Sequence, residues 1–209
     1  MYGAQLSATN IATSQIPLPT ALGESCLVVN GAPIPLMFVS SGQINAQLPL
    51  NAAGSVTMSI HTPAGVSNNY NLVVASAAPA VFLSGTAGPE TGLATIFRAQ
   101  NGQLVTPTNP LHPGDTVVVY LTGMGPTSPQ VAAGQQTPPT LLTSVTQAPL
   151  LTLGSTNLSI DYAGLVPGFI SGLYQINATL PGIVTQGESV PLVISQSGGA
   201  TTLSVRVVN

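Results

Sequence analysis

The sequence predicts an all-β protein of two modules in tandem. Three observations carry that expectation. Apolar and hydroxyl-bearing side chains alternate with a two-residue period in many short runs. Glycine (22) and proline (19) interrupt these runs, at roughly the eight-to-twelve-residue spacing of a sandwich. One neutral string, "GQINAQLP" at 42–49, returns as "YQINATLP" at 174–181. Helix signals are poor, because no window of about twelve residues keeps a 3.6-residue apolar period free of Pro and Gly. The reading is two tandem β-sandwich domains, residues 1–78 and 79–209.

Each strand is justified locally. At 55–61, "SVTMSIH" sets Val56, Met58 and Ile60 against Ser and Thr. At 95–105, "TIFRAQNGQLV" places Asn101-Gly102 between two apolar arms, a strong hairpin signal. "DTVVVYLTG" at 115–123 is β-branched and aromatic. "NLSIDYA" at 157–163 alternates Leu158, Ile160 and Tyr162, and "TLSVRVV" at 202–208 closes the series.

The repeat ties the halves together. Shifted by 132, residues 35–49 match 167–181 at seven of fifteen positions: Pro35, Gln43, Ile44, Asn45, Ala46, Leu48 and Pro49. Further on, "SVTMSI" at 55–60 falls on "SVPLVI" at 189–194, and Val73-Val74 on Val207-Val208. Upstream, "SCLVVNG" at 25–31 is aligned with "TNLSIDYAG" at 156–164, and the boundary is set near Ala78-Pro79. Within the string, Ile44, Ala46 and Leu48 share one face, as do Ile176, Ala178 and Leu180. The outer face differs inside the string only by Gln47 becoming Thr179. The string therefore reads as a core strand whose amides bond nearby loops, not as a reactive site.

The modules are unequal. The second has a long lead, from Pro79 through the Asn101-Gly102 hairpin and "GDTVVV". The first opens at "MYGAQLSATNIATS", which resembles only the tail of that lead, "VYLTGMGPTSP". The first module is expected to lack its leading strand and to expose a groove. Open backbone groups and bare core are both costly, so something should occupy it. Candidate donors are the N-terminal Met1, Tyr2, Gly3, Ala4, Gln5 and Leu6, and the C-terminal Val205, Val207 and Val208.

Composition limits the partners. Charged residues are 3% of the chain, against about 25% in ordinary soluble proteins. Lysine is absent; the cations are Arg98 and Arg206, the acids Glu24, Glu90, Asp115, Asp161 and Glu188, and the net charge is -3. Nucleic acid is not expected as a partner, since phosphate binding needs clustered Lys and Arg. An anionic membrane surface is not expected either, for the same reason. No run approaches the ~20 apolar residues of a membrane-spanning helix. "MYGAQLSATN" lacks the features of a signal peptide, so a leader is expected to have been removed, or the chain is a fragment. Cys26 stands alone, which rules out an internal disulfide and suits a small buried hydrophobe. Sheet edges without lysine gatekeepers and little net charge leave association unopposed.

Site chemistry is sparse. The histidines, His61 and His112, fall in different modules, beside Thr62-Pro63 and in "NPLHPGD". Asp115 reads as a turn residue at a strand start, and no GxSxG elbow occurs. The five acids offer no carboxylate pair for glycoside hydrolysis. One Cys and two His give no metal-ligand set. "GTAGPETG" at 85–92 lacks the lysine of a phosphate loop. Trp is absent and aromatics are 4%, a weak basis for sugar stacking, and the sequons at Asn157 and Asn177 are discounted. No catalytic, cofactor or metal residue is expected, and the chain is not expected to be an enzyme.

Three stretches carry a family resemblance: "GQINAQLP", "NGQLVTPTNPLHPGDTVVVYLTGMGPTSP" and "GLVPGFISGLYQINATLPG". Together they resemble the acidobacterial "Solibacter" uncharacterised C-terminal domain of secreted proteins, over residues 2–209. The resemblance implies secretion, a bacterial immunoglobulin-like sandwich and no catalytic residue. Two departures are a truncated leading strand and the absence of a large upstream region. The expected function is a non-enzymatic subunit of an extracellular filament, a head-to-tail homopolymer built by sheet-edge pairing or strand donation. The alternative is an adhesion or ligand-binding module of a larger cell-surface protein.

Overall fold

A computed structural model describes residues 1–85 and 91–209, and these are all-β with antiparallel sheets and no helix. Among them no helix is long and apolar enough to cross a membrane. The chain divides into two compact units. Unit 1 holds Met1–Ser76, Gln130–Leu141 and Pro167–Gly172; unit 2 holds Ala77–Pro129, Leu142–Val166 and Leu173–Asn209. The first break falls beside the expected boundary at Ala78-Pro79. Two segments expected in the second domain, Gln130–Leu141 and Pro167–Gly172, fold with unit 1 instead.

Unit 1 has a three-stranded sheet in which β1 (Ile11–Ala12) pairs β4 (Leu36–Val39), and β4 pairs β5 (Ile44–Ala46). A second sheet runs β3 (Ala32–Pro33), β2 (Cys26–Val29), β6 (Gly54–Thr62) and β7 (Gly65–Val66), with β8 (Tyr70–Val74) also on β6. Their inward faces supply Leu27, Val29, Leu36, Val39, Ile44 and Val56 to one core, which Leu6 and Ile34 complete from the connecting segments.

Unit 2 is larger. One sheet is ordered β11 (Gln103–Leu104), β10 (Ile96–Arg98), β12 (Thr116–Thr122), β18 (Tyr174–Thr179) and β17 (Ser159–Leu165), with β9 (Ala80–Val81) pairing β12. The other is ordered β16 (Thr156–Asn157), β15 (Leu150–Leu153), β19 (Gly187–Gln196) and β20 (Gly199–Val207). A small ladder joins β13 (Thr127–Ser128) to β14 (Ser144–Val145). The period-two pattern of β12 is realised fully: Val117, Val119 and Leu121 are all 0% exposed. The expected hairpin forms between β10 and β11, with Phe97 opposite Leu104. Its loop is four residues rather than two, because Arg98 already pairs with Gln103. Gly102, at φ 67, makes the left-handed step.

Ladder registers compare the units better than residue identity does. Leu27 faces Ile60 and Val29 faces Met58 in unit 1; Leu151 faces Ile194 and Leu153 faces Leu192 in unit 2. The segment 25–31 therefore corresponds to 149–155, "PLLTLGS", which corrects its alignment with 156–164. Leu36, Phe38 and Val39 face Ala46, Asn45 and Ile44, with a register slip after Leu36. Ile160, Tyr162 and Ala163 face Ala178, Asn177 and Ile176, with the same slip after Ile160. A β-bulge shared at one position identifies β4 with β17 and β5 with β18. The bulge also interrupts the strict alternation expected across 157–163. Pro35 and Pro167 match only by identity: Pro35 precedes β4, whereas Pro167 lies in the longer loop between β17 and β18. Leu72 and Val205 take equivalent places opposite Val56 and Val190, so Val73-Val74 falls one residue away from the expected match.

Candidate functional site

The outer face of the repeated string is a local affair. Gln43 Nε2 donates to Asn45 Oδ1 at 2.6 Å, and Gln175 Nε2 donates to Asn177 Oδ1 at 2.6 Å. The amides bond each other along the strand instead of reaching to loops, which corrects the expectation. Gln47 is the exception. Its Nε2 donates to Ser171 O, and its Oε1 accepts from Gly134 N–H. Ser171 Oγ donates to Ala132 O at 2.9 Å. One side chain thus fastens both extra segments to unit 1. Gly134, at φ +77, packs so closely that a Cβ there would meet Pro35 Cγ at 2.8 Å. In unit 2 the equivalent Thr179 instead donates to Asp161 Oδ2 at 2.9 Å. The one outward difference within the string was the signal for this role.

The inner face and edge of β5 form the candidate site. Met1 pairs with Ile44 in both directions: its amino group donates to Ile44 O at 2.8 Å, and Ile44 N–H donates to Met1 O at 3.0 Å. Tyr2 bridges Gln43, and Gly3 N–H donates to Gly42 O at 3.1 Å. In unit 2 the same places are taken by Val119 opposite Ile176, Tyr120 opposite Gln175 and Leu121 opposite Tyr174. Met1–Gly3 is thus the counterpart of the last part of β12. Unit 2 continues that strand with Val118, Val117 and Thr116 opposite Asn177, Ala178 and Thr179, and Leu180 N–H donates to Asp115 O at 2.8 Å. Among the described residues, unit 1 supplies nothing in these places. Ladder alternation points the Ala46 N–H and C=O, and the Leu48 N–H, the same way as those of Ile44, toward the open position.

Side-chain burial reports the same gap. Ala178, Leu192 and Ile194 are 0% exposed and Leu180 is 1%. Their equivalents Ala46, Met58, Ile60 and Leu48 are half-buried. They line a groove of about 510 Å³ with Leu27 and Ile44, and no charged side chain among the described residues lines it.

The proposed donor segments are both engaged. Met1, Tyr2 and Gly3 pair along β5, Ala4 and Gln5 are exposed with Gln5 at φ 57, and Leu6 is buried with its N–H on Ser41 O. Val205 (6%) and Val207 (1%) are core residues of unit 2 on β20, and Val208 N–H donates to Leu111 O. Releasing that C-terminal strand would empty the unit 2 core, so it is corrected from a free donor to a closing strand.

The remaining candidates are structural. Arg98 Nη2 donates to Asp115 Oδ1 at 3.0 Å, with Nε 2.8 Å from Oδ2, and His112 N–H donates to Oδ2 at 2.7 Å. Asp115 is thereby committed to clamping the turn before β12, as its "PGD" setting suggests. His112 Nδ1 lies 3.6 Å from Asp115 Oδ2, while His61 is exposed on β6 with Nε2 3.4 Å from Ser59 Oγ. Among the described residues no three His, Cys, Asp or Glu gather to hold a metal. Burial raises the Cys26 thiol above its ordinary pKa, and raises the Tyr174 phenol strongly; Tyr174 O–H donates to Gly125 O. Desolvation also raises Tyr162, partly offset by its bond to Thr143 O. Glu90 and most of the "GTAGPETG" loop lie outside the described residues. No family model matches the chain, and no curated protein or solved structure matches it either.

Proposed function

We propose that the chain is a non-enzymatic structural subunit of an extracellular or cell-surface polymer, whose first unit accepts a β-strand from a neighbouring chain. The observation that carries this reading is the contrast between equivalent positions. Ala178, Leu180, Leu192 and Ile194 are core, whereas Ala46, Leu48, Met58 and Ile60 line an open apolar groove beside an unpaired strand edge. Strand addition supplies main-chain bonds and apolar plugs together, which is what such a groove lacks. A charge content of 3% supports the reading, since little like-charge repulsion opposes close stacking of copies. Both units are proposed to be immunoglobulin-like sandwiches, on the strength of their facing antiparallel sheets. Membership of the acidobacterial C-terminal domain group, and secretion with it, belong to the same proposal and rest on the sequence motifs.

The test is the state of the purified chain, by light scattering and negative-stain microscopy. The reading expects concentration-dependent linear polymers, lost when Ala46→Arg places a charge in the groove. A monodisperse monomer of about 21 kDa at all concentrations would remove it.

A further inference from the structure

Resting on that strand-acceptor reading, we infer that the groove is selective for register and side chain. It takes an extended, uncharged strand antiparallel to β5, with a β-branched residue against Ala46, as Val117 sits against Ala178 in unit 2. The occupant is a strand of a neighbouring chain that sets an uncharged, β-branched side chain where Val117 sits in unit 2.

The argument runs from the internal copy. Thr116, Val117 and Val118 oppose Thr179, Ala178 and Asn177, and Asp115 O accepts from Leu180 N–H. The equivalent acceptor positions are Gln47, Ala46, Asn45 and Leu48. Val117, which is 0% exposed, is the inward plug of this stretch. Side-chain period fixes parity: moving the strand by one residue turns Val117 outward and buries Thr116 and Val118 instead. The neighbouring ladder limits placement as well, because Met1 already holds Ile44, so the incoming strand ends where Met1 begins. A charge on the inward face is excluded. In unit 2 the Asp115 carboxylate is met by Arg98, and among the described residues the groove of unit 1 has no charged side chain to do this.

Two measurements test the inference. In the first, a six-residue peptide with the sequence of 113–118 and Asp115→Asn, amidated at its C-terminus, is titrated into the full chain. Binding is expected to raise the melting temperature and to inhibit polymer growth. Val117→Arg in the peptide should weaken binding at least about 100-fold, while Val118→Arg should be tolerated. In the second, Asn-Thr-Val-Val is placed directly ahead of Met1, where it reaches the same register without a linker. This extended chain should be monomeric and more heat-stable. The same extension with one extra Ser before Met1 should be neither. Equal effects of the two extensions, or a reversed order of the two peptide variants, would overturn the inference. If neither peptide nor extension acts while polymers still form, the selectivity falls and the acceptor reading stands. If polymers never form and nothing binds, both fall. Uptake of the apolar dye anilinonaphthalenesulfonate without any effect of peptide or extension would assign the groove to a small apolar ligand and overturn the inference.

Discussion

At the scale of single residues, Gln47 carries more structure than its surface position suggests. It ties Gln130–Leu141 and Pro167–Gly172 to unit 1 through Gly134 and Ser171. Gln47→Ala leaves those partners without a mate, so about 1–3 kcal/mol of stability should be lost. Limited proteolysis should then cut within 130–141 in the variant and spare that segment in the parent chain. Asp115 offers a second check. Removing it by Asp115→Ala leaves Arg98, whose side chain is only 15% exposed, without its carboxylate and with Asn109 Oδ1 as its remaining side-chain acceptor, and should cost about 3–5 kcal/mol by urea unfolding. Tyr174 gives a pH signature. Burial raises its phenol above the ordinary value of 10.0, so the folded state prefers the neutral form. The stabilisation is complete below about pH 10 and is lost as pH climbs toward the folded value. The melting temperature should fall on the alkaline side, and Tyr174→Phe should flatten that fall.

At the scale of elements, β5 and β18 are one strand in two settings, and the same substitution should read out the difference. Leu180→Ala removes a side chain that is 1% exposed, and should cost about 2–5 kcal/mol. Leu48→Ala removes a half-buried one and should cost clearly less in the dilute chain. Much of this element was legible in the sequence. The alternation of Ile44, Ala46 and Leu48 and the hairpin at Asn101-Gly102 both follow from residue pattern. The register was not legible. Chance identities such as Pro35 with Pro167 pulled the alignment, whereas the shared bulge in β4 and β17 depends on backbone geometry that identity does not encode. The fate of Ser204–Asn209 was equally hidden, because an alternating apolar strand looks the same whether it closes its own unit or leaves it. Nor could composition show that segments from the second half complete unit 1, since the ties that hold them, the Gln47 side-chain bonds and the Leu18 N–H on Gly134 O, join residues far apart in the chain.

At the scale of the whole molecule, the account rests on neutral surfaces and strand chemistry, not on charge. Assembly should therefore depend weakly on ionic strength. Raising NaCl from about 0.05 to 0.5 M should leave the critical concentration nearly unchanged or lower it, as read by light scattering. The central claim is that the β5 edge is open in the isolated chain and covered in the assembled one. Amide hydrogen exchange at Ala46 and Leu48 tests it most directly, with Ala178 and Leu180 as internal references. In the dilute chain Ala46 and Leu48 should exchange fast and Ala178 and Leu180 slowly; on assembly all four should become slow. Equal protection of all four in the dilute chain, or fast exchange at Ala46 and Leu48 that persists in the polymer, would contradict the account.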